Sequence, residues 1–316
     1  MWSLSLAVAL AADPAPSLDP GAGGALVLSS SSPTGRIADR VAWGDGADLV
    51  LLYGGEQSGR VGPCGCEDHP IGGLPRVTGY RRAMRDANPG VPDLLLNLGE
   101  FYSARTGDTP TLSSDARAAN RWMRAGLDAG PWDAVNVSCR DLPGATADGF
   151  PLNALSTNMR VPDLPDHRLV KAGAHTVAVL GVGAPCLDYL QPPGLVVTDP
   201  LEAVRARVPT LEADLVVVLV SGLAGRVEAL ASIDGVDVVL EAGAYVGRYE
   251  PFDVGGTVWA RSADETQRLK ELRLRVDDGR ISAATDRTIT LDERIPEDRP
   301  VKRLLMEPLA AEARVE

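Results

Sequence analysis

Histidine is nearly missing from this sequence: three occur in 316 residues, and none follows His175. The later loops therefore lack the commonest nitrogen ligand for a metal, and a dinuclear centre rich in imidazole is not expected. Basic residues are outnumbered, 31 against 43 acids, for a net charge of −12. Such a surface repels nucleic acid and anionic membranes, so nucleic-acid binding is set aside. Beyond residue 12 no apolar run approaches the ~20 residues of a membrane span. Cysteines number only four, at positions 64, 66, 139 and 186, too sparse for a disulfide scaffold of this length.

What is present is an ordinary globular composition, 45% apolar and 23% charged, enough for one large core. Residues 1 to 12, from Met1 to Ala12, form a short apolar run ending in small residues, followed by the proline-rich Asp13 to Pro20. This reads as a signal-like segment and linker over 1–20 with cleavage near Ala12, and a single domain over 21–316. Export to a periplasmic or extracellular compartment follows, where disulfides are permitted.

Apolar runs alternate with helical patterns. Asp48 to Tyr53, Asp93 to Leu98, Trp132 to Val137, Thr176 to Val182, Asp214 to Val220 and Asp237 to Leu240 read as buried strands. Helices are expected over Gly73 to Asn88, Ser113 to Gly130, Asp199 to Leu211 and Leu223 to Ile233, giving a largely parallel sheet. The tail alternates apolar and polar residues over Thr257 to Arg261, Glu271 to Val276 and Arg287 to Leu291, an antiparallel meander, before a closing helix from Val301. Ligands of open α/β sheets sit at the carboxyl ends of the strands. Those ends carry Glu56, Ser58, Cys64 and Cys66, then Glu100, then Cys139, Arg140 and Asp141, then Cys186, Ser221 and Glu241, so all four cysteines are expected on one rim.

The densest stretch is Gly62 to Arg76, with Cys64, Cys66, His69 and the run Gly72-Gly73-Leu74-Pro75-Arg76. With Asn97-Leu98-Gly99-Glu100, the segment from Trp132 to Val137, that from His175 to Gly181, that from Ala213 to Leu219, that from Gly235 to Val239, and Gly255-Gly256-Thr257, it resembles the calcineurin-like metallophosphoesterases. The likeness is to the secreted 5′-nucleotidase catalytic domains, and the Cys-Gly-Cys before Gly-Gly-Leu is similar to a cysteine-bearing subgroup of bacterial envelopes. The resemblance spans about residues 45 to 277. It implies an α/β fold, a four-layer α/β/β/α sandwich with mixed sheets, and a two-metal centre that hydrolyses phosphate esters.

Residue by residue the implied ligands are largely replaced. The first-strand Asp-x-His falls on Glu56-Gln57-Ser58, the next Asp on Glu100, and Asn-His-Glu on Cys139-Arg140-Asp141. Ser221 and the stretch Ala242 to Tyr245 stand where later histidines belong. Three readings of the cysteines stay open, one being that Cys139 or Cys186 is simply a buried free thiol; the other two join all four. Cys64, Cys66, Cys139 and Cys186 hold one Zn or Fe ion on thiolates, or Cys64 and Cys66 form disulfides with Cys139 and Cys186. His69 is read as a solvated loop histidine or, alternatively, a ligand or cap of a metal, and His167 and His175 as strand-edge residues without a function. Arg76, Arg81 and Arg82 are read as a solvated helix face, and Asn136-Val-Ser138 as a glycosylation motif too buried to use. Two functions follow: a non-catalytic binding or structural protein with an unknown small-molecule or protein ligand at the rim, or a divergent phosphoester hydrolase using Glu56, Glu100, Asp141 and Arg140.

Overall fold

The structure is a computed structural model that describes residues 26–41, 44–64, 69–104, 112–186, 194–243, 250–262 and 267–312. The amino-terminal signal-like segment and Cys66 lie outside the described residues.

In chain order the elements are β1 (Val27–Ser31), α1 (Ile37–Val41), β2 (Leu49–Gly54), α2 (Leu74–Ala87), β3 (Asp93–Asn97), α3 (Ser114–Ala129), β4 (Ala134–Asn136) and α4 (Leu142–Asp148). There follow β5 (Ala154–Leu155), β6 (Met159–Arg160), β7 (His167–Ala172), β8 (His175–Gly183), β9 (Val196–Val197), α5 (Pro200–Arg207), β10 (Leu215–Ser221), α6 (Val227–Ala231) and β11 (Val238–Ala242). The tail supplies β12 (Phe252–Val254), β13 (Thr257–Arg261), β14 (Arg268–Asp277), β15 (Arg280–Thr290) and α7 (Arg299–Glu312).

Two mixed sheets stack face to face, in the orders β1-β15-β14-β2-β3-β4-β5 and β12-β13-β11-β10-β8-β7. Period-two alternation sends Leu49, Leu51 and Tyr53 of β2 into the core between the sheets and Val50 and Leu52 outward against Leu74, Tyr80 and Met84 of α2. A third apolar cluster packs α5 and α6 on the outer face of β8, β10 and β11. The result is the expected α/β/β/α sandwich.

The tail is not one meander. β13 pairs in parallel with β11 in the second sheet, whereas the β14–β15 hairpin joins the first sheet by pairing antiparallel with β2. The serine-rich β1, absent from the sequence-based reading, pairs in parallel with β15, Val27 opposite Ala283. The helix expected from Leu223 shrinks to α6, because Gly222 and Gly225 adopt φ of 73° and 76° and turn the chain before it. Helix α2 touches its neighbour without a side chain between: a methyl group on Gly79 would stand 1.7 Å from the Pro296 carbonyl oxygen.

The arginines of α2 are not a solvated face. Arg81 is buried and pairs with Asp93 and Asp133 across two strand starts. Arg76 is also buried, donating to the carbonyls of Pro70, Gly72 and Leu291. Of the three, Arg82 is the exposed one, and it pairs with Asp298.

A charged layer runs under α1 and α2 on the outer face of the hairpin. Glu271, fully buried, accepts from Arg273 at 2.9 Å, from Arg287 at 3.0 Å and from the Tyr80 hydroxyl. Arg273 also grips Asp45 with two nitrogens, at 2.6 and 2.9 Å. On the inner face Lys270 pairs with Asp286, which accepts from the Tyr53 hydroxyl at 2.8 Å. Glu271→Gln removes the charge facing two buried guanidiniums and is expected to lower stability by about 3–5 kcal/mol, read from urea unfolding. A loss below about 1 kcal/mol would show that this layer is not held by the carboxylate.

Burial pushes the Asp286 carboxyl from 3.8 up to about 6, against the pull of Lys270 and Tyr53. A carboxyl that binds its proton more tightly when folded favours the native state at low pH, and that contribution falls as pH rises from 3.8 to about 6. Asp286→Asn should flatten the dependence of the urea midpoint on pH across that window; an unaltered slope would contradict the assignment.

Candidate functional site

The carboxyl ends of β2, β3, β4, β10 and β11 meet on one rim. After β2 the backbone zips onto the loop after β3, with Glu56 N donating to Gly99 O at 2.9 Å, Ser58 N to Glu100 O at 2.9 Å and Gly59 N to Phe101 O at 2.8 Å. To do so, Glu56, Ser58 and Glu100 all adopt positive φ, of 60°, 49° and 58°. This left-handed region costs an ordinary residue roughly 1–3 kcal/mol and marks places where surrounding structure overrides local preference. Both acids expected at the site are thus held in a strained backbone.

The loops approach closely. A methyl group on Gly99, whose φ is 107°, would lie 3.4 Å from the Cβ atoms of both Ser138 and Ser221. One on Gly55 would lie 3.0 Å from Gly99 O and 3.6 Å from Ala242 Cβ.

Three of the rim acids have a defined set of donors, whereas one oxygen of Glu56, Oε2, is buried with no hydrogen-bond partner among the described residues. Glu100 accepts from Ser221 Oγ at 3.1 Å and from Arg140 Nη1 at 3.3 Å. The Arg140 side chain stays 60% exposed, leaving most of its guanidinium to solvent. Asp141 is fully buried and accepts four hydrogen bonds: Glu100 N at 2.9 Å, Ser138 N at 2.9 Å, Ser138 Oγ at 2.6 Å and Tyr102 N at 2.8 Å. Burial pushes its carboxyl up to about 6 while these donors pull it down. Its role is to splice the turn after β4 to the loop after β3. Glu241, also buried, accepts from Trp259 Nε1 and Arg261 Nε, both at 3.0 Å, and that guanidinium lies 4.6 Å from the Trp259 ring centre.

The cysteines pair differently from expectation. Cys139 is bonded to Cys186, with Cα atoms 5.1 Å apart, so neither reaches Cys64 or Cys66. Gly183 explains the partnership: a methyl group there would stand 3.5 Å from Ser138 Cα, so the chain leaving β8 passes beside the turn after β4. Cys64 instead faces Ile71, whose backbone N–H donates to its sulfur at 3.4 Å. A four-thiolate site is therefore not assembled here, and among the described residues no group of three or more His, Cys, Asp or Glu is gathered for a metal. His69 is exposed, and His167 pairs with Asp166 at 2.6 Å. Asn136 is fully buried, donating to Leu98 O and Val182 O.

The bridge between Cys139 and Cys186 closes a loop of 47 residues. On the chain-entropy account, replacing both by serine should cost about 4 kcal/mol of stability, measured by urea unfolding against oxidised protein. Equal midpoints would show that the turn is held without the bridge.

No family model matches the chain, and no curated protein matches it by sequence. Solved structures do match. The sulfate thiohydrolase SoxB of Thermus thermophilus superposes with a TM-score of 0.67 at 19% identity, over 84% of this chain and 61% of that one. A 5′-nucleotidase precursor from Thermus thermophilus gives 0.62 at 19% identity, over 83% and 59%. The calcineurin-like phosphoesterase YfkN of Bacillus subtilis gives 0.64 at 13% identity, over 84% and 97%. The chain spans about 60% of the length of the first two. These likenesses establish a metallophosphoesterase-type fold.

Proposed function

Proceeding from that fold, we propose that this chain is an exported, non-catalytic binding protein whose rim no longer holds a pair of metal ions. The observation that carries the reading is the state of Glu100. Its two oxygens face a serine hydroxyl and a guanidinium, so both are already engaged by groups of the protein. Asp141 has four donors on its carboxylate, and Cys139 is bonded to Cys186. Glu56 and Glu100 remain as acids, too few for two divalent ions that need roughly seven or eight ligands. The donor set does not fit a dinuclear centre, and no hydrolytic step is derived through one.

What the rim offers instead is Arg140. One nitrogen rests on Glu100 while the rest of the fork is open to solvent, a geometry suited to holding a carboxylate or phosphate oxyanion. The disulfide supports an oxidising compartment and hence export. No helix among the described residues is long and apolar enough to cross a membrane. A zinc or iron ion on Cys64 and Cys66 would need two further ligands, because Cys139 and Cys186 are joined.

The competing reading, a divergent phosphoester hydrolase, draws on the names of the proteins that share the fold and on the strained backbone of Glu56 and Glu100. The purified chain is expected to show no hydrolysis of p-nitrophenyl phosphate with added Mn²⁺ or Zn²⁺ and no change on Glu100→Ala. Metal-dependent turnover abolished by that substitution would overturn the proposal.

A further inference from the structure

A groove lies away from the rim, on the flank of the sandwich. It measures about 630 Å³, within the range of small-ligand sites, and lies between the segment after β5 and helix α5. Both walls are fixed. Asn158 exchanges hydrogen bonds with Gly183 at 3.0 Å in each direction and accepts from Thr198 N at 2.8 Å, which pins the β6 wall to the end of β8. The opposite wall is capped by Asp199, which accepts from Leu201 N and Glu202 N and is paired with Arg226. Asp166 joins the two walls by pairing with Arg207 of α5.

The lining divides by chemistry. Met159, Val161, Leu164, Ala203 and Ala206 give an apolar floor. Asp166 and Arg207 pair with each other. Two charges are left over: Arg160 on β6 and Glu202 on α5 line the same groove, both exposed, and neither side chain pairs with the other or with any described group. An exposed charge alone is satisfied by water. Opposite charges lining one groove together with apolar side chains are matched by a molecule that carries both signs and an apolar body.

We propose that this groove binds a short zwitterionic peptide with apolar side chains, its carboxylate on Arg160 and its ammonium on Glu202. The guanidinium fork suits a carboxylate, and a single amino acid would leave most of the volume empty. The site shares no side chain with Arg140 and Glu100, and it stands whether or not the rim hydrolyses anything.

Leucyl-leucine titrated into the full chain, followed by calorimetry and by NMR of the protein, should bind saturably. Arg160→Gln and Glu202→Gln, both surface substitutions, should each weaken it tenfold or more. Blocking the ligand separates the two contacts: N-acetyl-leucyl-leucine should bind tenfold more weakly and ignore Glu202→Gln, while leucyl-leucinamide should ignore Arg160→Gln. Ala203→Trp, which fills the floor, should abolish binding while Arg140→Gln leaves it intact. Absence of saturable binding in the millimolar range, or equal binding of the doubly blocked peptide, would overturn the proposal.

Discussion

The buried carboxylate of Glu271 is the interaction on which the first sheet depends. It draws Arg273 and Arg287 from neighbouring strands and Tyr80 from α2 onto one point, and Arg273 extends the contact to Asp45. Buried ion pairs add little net stability over well-packed apolar groups, because desolvation offsets most of the attraction. What they do supply is register. A slip of the β14–β15 hairpin by one residue would turn Glu271 and Arg287 toward the inner core and strand Lys270 and Asp286 under α2, each without its partner. The hairpin in turn carries β2, since β14 lies between β15 and β2, and β2 carries the loop with Glu56. The geometry of the rim is therefore set from a layer of charge on the far side of the sheet.

The rim itself shows acids used as fasteners. Asp141 gathers backbone N–H groups from the loop after β3, Glu100 gathers a serine and an arginine, and Glu241 gathers a tryptophan and an arginine. Asp141 accepts four hydrogen bonds, and Glu100 and Glu241 two each. The disulfide between Cys139 and Cys186 ties the turn after β4 to the chain leaving β8.

Much of the framework was legible in the sequence, because β2, β3, β10 and β11 are continuous apolar runs that only a sheet covered on both faces can bury. Ser113 and Gly130 mark the ends of α3 as their chemistry predicts, and Ser113 accepts from Ala116 N. What escaped depends on partners distant in the chain. Arg81 looks solvated until Asp93 and Asp133 are folded against it, and Val27–Ser31 looks like a linker until β15 arrives beside it. The strand-end acids were visible as residues but not as acceptors. One local signal was available: Ser138-Cys-Arg-Asp141 has capping-box spacing, and the two residues do bond reciprocally. The cysteine pairing was not readable from spacing, since it follows from β8 passing beside the turn after β4. The groove was invisible for the same reason, its charges lying on segments 42 residues apart, at 160 and 202.

The pairing of β1 with β15 has a consequence for how the molecule comes into being. The first strand of the fold finds its neighbour only near the end of the chain, Ser31 lying opposite Arg287. Closing so long a loop is among the slowest events in folding, and until it happens the serine-rich strand has no template. During synthesis, the β3–β4 and β8–β10 pairings can form while β1 waits. The pairing of β1 with β15 is thus a late event in folding, after the local strand pairs around it have formed.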